Sequence, residues 1–116
     1  MKYMLMFAGS EEYVETFQSF SADKQREAMA GVERWWEQHA RAGTILDGHQ
    51  LQPSSTATTV RIQNGKSLVT DGPFIEAKER IGGYAIIDVA SLDEAVSLAK
   101  SWPAGGTVEV RPLVER

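Results

Sequence analysis

The middle of the chain carries a carboxylate followed by a glycine, a proline and an aromatic, Thr70-Asp71-Gly72-Pro73-Phe74, with Glu76, Lys78 and Glu79 running on from it. Proline fixes its own φ and drives the residue before it out of the helical region, so Gly72-Pro73 is a rigid stop. Asp71 is therefore held at a defined place, with Phe74 as an apolar neighbour. A carboxylate so placed can act as a general base or anchor a ligand. It can equally accept the backbone N–H groups of its own turn, as aspartate commonly does. Lys78 and its acidic neighbours either line a cleft mouth and hold a polar ligand, or form a solvated rim paired with Arg61 or Arg111.

His49 stands in a strand-like stretch among Asp47, Gly48 and Gln50. It can pass a proton to and from Asp71 if their two strands converge, and is otherwise a plain surface histidine. Arg111 and Glu109 alternate with Val108 and Val110 near the end of the chain. If the valines face a core, the two charges face the other way, where a buried charge needs a partner. They then pair with each other's neighbours to fix the dimer, or Arg111 binds an anionic ligand. His39 continues an apolar helical face and reads as a core or edge histidine. Two histidines ten residues apart, with no cysteine, make no metal-ligand set. The glycine pairs Gly82-Gly83 and Gly105-Gly106 lack the strand–loop–helix setting of a phosphate loop, and no Gly-x-Ser-x-Gly occurs. Trp35 and Trp36 are adjacent, so both cannot point fully inward, and with Trp102 they read as core packing. Neither a cofactor nor a metal is expected.

The elements that must position these groups follow from periodicity. Residues 2–8 make a strand in which Tyr3, Leu5 and Phe7 face one way and Met4, Met6 and Ala8 the other, so both faces are apolar. Ser10 caps a short helix with Tyr13, Phe17 and Phe20 on one side. The main helix runs from near Ser21 to Gly43, with Ala28, Met29, Val32, Trp35, Trp36, His39 and Ala40 on a single buried face. Gly31 inside it is a place where another backbone can approach closely. A strand over 44–51 and a second over 58–62 follow, and Asn64-Gly65 turns the latter into a hairpin with 66–69. Residues 81–89 return as a strand with two apolar faces. Ser91 and Glu94 form a capping box for a helix that buries Leu92, Ala95, Val96, Leu98, Ala99 and Trp102 and stops at Pro103. Residues 107–113 are the closing strand.

Two β-α-β units, one per half, predict an α+β fold: a ferredoxin-like antiparallel sheet with both helices on one face. Two helices cover only one side of such a sheet. One apolar side of Tyr3–Phe7 and of Tyr84–Val89 is left over, and a second copy of the chain, sheet against sheet, is the simplest cover.

At 116 residues the chain is one domain, residues 1–116, with 42% hydrophobic and 24% charged residues, ordinary globular values. The net charge of −4 comes from scattered residues of both signs, which excludes nucleic acid as a partner. The absence of cysteine removes disulfides, thiolate metal sites and cysteine nucleophiles. Apolar runs are too short for a bilayer, so no membrane partner is expected. The start, one lysine followed by apolar residues, lacks a cleavage region before Glu11-Glu12, and a cytoplasmic location is expected.

Five stretches resemble the YCII-related, or DGPF-domain, proteins: the start Met1-Lys2-Tyr3-Met4-Leu5-Met6, then Ala57-Thr58-Thr59-Val60-Arg61, Val69-Thr70-Asp71-Gly72-Pro73-Phe74-Ile75-Glu76-Ala77-Lys78-Glu79, Gly82-Gly83-Tyr84 and Val108-Glu109-Val110-Arg111-Pro112. They span nearly the whole chain in order. The resemblance implies a ferredoxin-like subunit that dimerises into an α+β barrel, in a family of small bacterial proteins of mostly unassigned activity. Some members are linked to extracytoplasmic-function sigma factors. For some relatives a His–Asp pair in a cleft is a proposed active site, its His on the first long helix. Here that helix has Met29 and Val32 in its middle and only His39 near its end, so the His role does not carry over. The function expected is binding or turnover of a small polar molecule in a cleft near Asp71, with His49, Phe74, Lys78 and Arg111 as further site residues. The alternatives are a protein-interaction or regulatory module and a purely structural dimer.

Overall fold

The computed structural model describes residues 1–73 and 79–116. In order the elements are β1 (Lys2–Ser10), α1 (Glu11–Gln18), α2 (Ala22–Arg41), β2 (Ile45–Gln50), a 3₁₀ turn (Ser54–Thr56), β3 (Thr58–Gln63), β4 (Lys66–Asp71), β5 (Glu79–Asp88), α3 (Leu92–Lys100) and β6 (Thr107–Pro112). The main sheet has the strand order β2-β5-β1-β6, all neighbours antiparallel, while β3 and β4 form a separate two-stranded sheet. This is a ferredoxin-like α+β subunit, as the element order predicts.

Local chemistry starts and stops the elements where it should. Ser10, Ser21 and Ser91 are the N-caps, their hydroxyls accepting from the N–H groups of Tyr13, Lys24 and Glu94. Each such cap typically contributes about 1 kcal/mol. The reciprocal arm of the last capping box reaches one residue further back than expected, with Ala90 N–H donating to Glu94 Oε2 at 3.0 Å. Asn64 and Gly65 have φ of 51° and 76°, the paired positive values of a tight hairpin turn that joins β3 to β4.

The core lies between the helices and one face of the main sheet. Tyr3, Leu5, Phe7, Trp35, Ile45, Ala85, Ile87, Ala95 and Leu98 are its buried members. Phe7 stacks on Trp102 with ring centroids 4.1 Å apart and meets Trp35 and Trp36 edge-on at 5.9 and 6.0 Å. The Trp35 indole N–H donates to Ser101 Oγ at 2.9 Å, so the buried ring keeps its polar atom satisfied. The tryptophans are core packing.

Three expectations are corrected. The apolar stripe of α2 is not buried along its length: Trp35 is buried, but Ala28 and Met29 are exposed. The buried residue of α2 is in its second half, and its first turn is tied to the end of α1 by Gln25 Nε2, which donates to Phe17 O at 3.1 Å. Leu92, the first residue of α3, is exposed although Ala95 is buried, because at 3.6 residues per turn it lies about 120° round the helix from Leu98. Gly31 faces open space apart from the flexible end of Arg34. The close approach occurs at Gly48, described below.

Candidate functional site

The two faces of β1 and β5 part company as the alternation requires. Tyr3, Leu5, Phe7, Ala85 and Ile87 are buried under the helices, whereas Met4, Met6, Tyr84 and Ile86 point to the opposite face and are half-buried. Cross-strand register arranges that open face in two rows. One runs Asp47, Ile86, Met4, Arg111 and the other His49, Tyr84, Met6, Glu109, from the β2 edge to the β6 edge. Each row has an apolar middle and an ionisable group at either end. Methionine is an adaptable surface, able to fit a flat ligand or another protein face.

A bulge brings the β2 residues there. Ile45 faces the core opposite Ile87, and strict alternation would send Asp47 and His49 inward after it. The register shifts between Ile45 and Asp47, with Leu46 the extra residue, and this one-residue slip turns Asp47 and His49 to the open face. Gly48 takes the inward position instead. A Cβ built there would lie 2.6 Å from the Trp36 ring and 2.6 Å from Tyr84 O. Gly48→Ala should therefore lose about 1–3 kcal/mol by overpacking. A urea midpoint equal to that of the wild type would show that Trp36 yields freely and that Gly48 is no constraint.

Two residues apart on one strand face, His49 Nε2 and Asp47 Oδ1 are 3.6 Å from each other. That exceeds a hydrogen bond but is ion-pair distance for an imidazolium. The His49 and Tyr84 rings are neighbours across the strands, their centroids 6.1 Å apart. On the far edge Arg111 Nη2 and Glu109 Oε2 pair at 2.7 Å, their side chains 68% and 50% exposed. The charges on β6 thus face away from the valines, as the alternation predicts, and pair with each other.

Asp71 is the last residue of β4, opposite Thr58 and exposed. Its strand belongs to the small sheet and β2 to the main one, and the carboxylate beside His49 is that of Asp47. The turn after Asp71 is held by other groups: Gly72 N–H donates to Ala57 O at 2.7 Å, and Thr59 Oγ1 donates to Gly72 O at 2.6 Å. Phe74 and Lys78 lie outside the described residues. Asp47 was the member of the site that sequence reasoning passed over. Its spacing of two from His49 on a strand was the available signal.

An open trough of 440 Å³ lies elsewhere, lined by Arg34, Glu37, Gln38, Arg41 and Ala42. All five belong to the outer side of α2 and its cap, and Arg41 is already paired with Glu37, so the trough lacks an opposing wall. Among the described residues no group of three or more His, Cys, Asp or Glu is placed to hold a metal ion, and no helix is long and apolar enough to cross a membrane. Partial burial raises the proton affinity of the Tyr13 hydroxyl, on α1.

The sequence profile of the YCII-related domain matches residues 1–115. An uncharacterised protein of Rhizobium meliloti (strain 1021) is 32% identical over 117 residues, an alignment that covers 97% of this chain and 92% of that protein. In three dimensions the chain is similar to the 5-chloro-2-hydroxyhydroquinone dehydrochlorinase of Burkholderia phenoliruptrix AC1100, solved in complex with 2,5-dihydroxybenzoquinone. The TM-score is 0.56 at 15% identity, over 100% of this chain and 96% of that one. A likeness at that identity concerns the fold alone.

Proposed function

The chain belongs to the YCII-related family, and from that premise we propose that it binds and turns over a small polar molecule on the open face of the sheet, enclosed there by a second copy. The observation that carries this reading is the His49–Asp47 pair beside Tyr84, set at the rim of an apolar floor of Met4, Met6 and Ile86. Histidine is the side chain whose ordinary titration lies near neutral pH, so it can both take and return a proton there. Asp47 orients the ring and offsets the charge of the imidazolium. Tyr84 supplies a hydroxyl for a polar substituent of the ligand. Support from fold comes from the solved dehydrochlorinase of the same architecture, which binds a small polar ring; as fold analogy this raises the reading without naming a substrate.

In a single chain His49 and Asp47 are 70% and 60% exposed, too open to exclude water. A second subunit laid face to face supplies the missing wall, and it covers the methionines as well. Arg111 at the other edge of the same face is the anchor for an anionic substituent. Asp71 stands at the root of the small sheet, as a candidate for the mouth of the cavity, and Phe74 and Lys78 are kept as further candidates from their place in the sequence.

A thermal-shift screen of small polar acids, phenols and enols on wild type, His49→Gln and Asp71→Asn tests the assignment. A ligand present at 100 times its Kd stabilises by about 2.7 kcal/mol, which is a rise of roughly 10 °C for a chain of this size. We expect a compound that lifts the wild-type Tm by several degrees and the His49→Gln Tm by less than half as much. An equal rise in both proteins would remove His49 from the site. An equal rise with Asp71→Asn would leave Asp71 as a turn residue.

A further inference from the structure

The small sheet has no evident use in a single chain. Alternation puts Val60, Ile62 and Val69 on one of its faces, together with Thr58, Ser67 and Asp71. Those three β-branched residues are 54%, 75% and 61% exposed. The opposite face is anchored at its root, where Thr59 is buried and donates to Gly72 O, and Arg61 Nη1 donates to Thr70 Oγ1 further out. The apolar face therefore looks outward from an arm of six residues per strand, about 20 Å long. A two-stranded hairpin is marginal in water unless a face of it is covered. Yet this one is well specified, with a six-pair register and a tight Asn64-Gly65 turn.

We propose that the β3–β4 hairpin is a clasp, its Val60-Ile62-Val69 face lying against the partner subunit of the sheet-to-sheet dimer. The inference rests on the dimer reading above and adds a second contact to it. The area points to a second copy as occupant. The chain has an accessible surface of 8561 Å² and a radius of gyration of 16.1 Å. A compact monomer of 12.8 kDa should expose about 6,300 Å² with a radius near 13 Å. The excess, roughly 2,000 Å² per chain, is what an obligate homodimer interface of about 2,000–5,000 Å² over both partners removes. A two-fold contact needs both halves of a complementary pair on one chain, and this chain has an uncovered apolar sheet face and an apolar arm. The chain runs from the candidate site to the arm through Leu51, whose N–H donates to Gly82 O at 2.8 Å next to the His49–Tyr84 pair, and through the 3₁₀ turn, which lies against β5. Asp71 is on the docking face at that root, so the clasp carries it into the interface.

Because the chain has no cysteine, Ile62→Cys gives one attachment point for a benzophenone maleimide. Irradiation of the labelled protein is expected to give covalent dimers. Sedimentation of Ile62→Asp/Val69→Asp is expected to show a dimer dissociation constant raised at least 100-fold, with unchanged far-ultraviolet circular dichroism. The milder Ile62→Thr/Val69→Thr keeps strand propensity and should raise it about tenfold. A wild-type dimer whose constant moves less than threefold in both variants, or whose label captures no second copy, overturns the clasp and leaves the sheet-to-sheet dimer standing. A wild-type chain that sediments as a monomer at micromolar concentration overturns both.

Discussion

Phe7→Ala should remove about 3–5 kcal/mol of folding stability, a large share of the 5–15 kcal/mol that a domain of this size possesses. Phe7 is only 6% exposed and lies at the centre of the aromatic cluster, stacked on Trp102 and edge-on to both Trp35 and Trp36. Its three ring partners come from α2 and from the turn after α3, while Phe7 itself is on β1. Truncation therefore opens a cavity where both helices meet the sheet, and none of these bulky rings can collapse into it without leaving its rotamer. Urea unfolding followed by tryptophan fluorescence reads the effect directly, at one fixed protein concentration because assembly contributes to apparent stability. A loss below 1 kcal/mol would mean that the cluster is not the hinge of the core.

This centre was legible from spacing alone. Tyr3, Leu5 and Phe7 alternate with Met4, Met6 and Ala8, and the two sets separate onto the two faces of the sheet as period two demands. The hairpin followed from Asn64-Gly65 and the last helix from Ser91 and Glu94, because each is a local motif whose geometry one or two residues impose. Where the reading failed, a neighbour decided the outcome. Met29 and Ala28 have helical spacing, but burial requires something opposite them, and α2 meets the core in its second half, at Trp35.

The candidate site was harder to read for a related reason. His49 was singled out for its type, and its partner was sought across the fold in Asp71. The partner is two residues away, and it reaches the right face only because Leu46 is squeezed out as a bulge. No residue in Ile45-Leu46-Asp47-Gly48 announces a bulge; the register of β5 and the fit of Gly48 under Trp36 select it. Arg111 and Glu109 were placed on the correct face by alternation with the valines, although the sequence did not show that they would pair with each other.

The open face makes the second large prediction. Met6 is flanked by Tyr84 on β5 and Glu109 on β6, in the middle of the apolar floor, and takes no part in the core under the helices. Met6→Lys should therefore leave the subunit folded, because the lysine can extend from an uncovered sheet into water. Within a sheet-to-sheet dimer the same ammonium would be desolvated in the contact, twice over by symmetry, and its cross-strand carboxylate, Glu109, is already paired with Arg111. Burial of an unpaired charge costs several kcal/mol even after relaxation, so the dimer dissociation constant should rise on the order of a thousandfold. Sedimentation equilibrium across a hundredfold range of concentration measures it, and circular dichroism checks the fold. Met6→Leu, which keeps the apolar volume, should assemble as the wild type does. If Met6→Lys and wild type share one dissociation constant, the open face is not the interface. His49 and Asp47 would then stay in bulk water, and a shielded acid–base site between subunits would have to be abandoned with it.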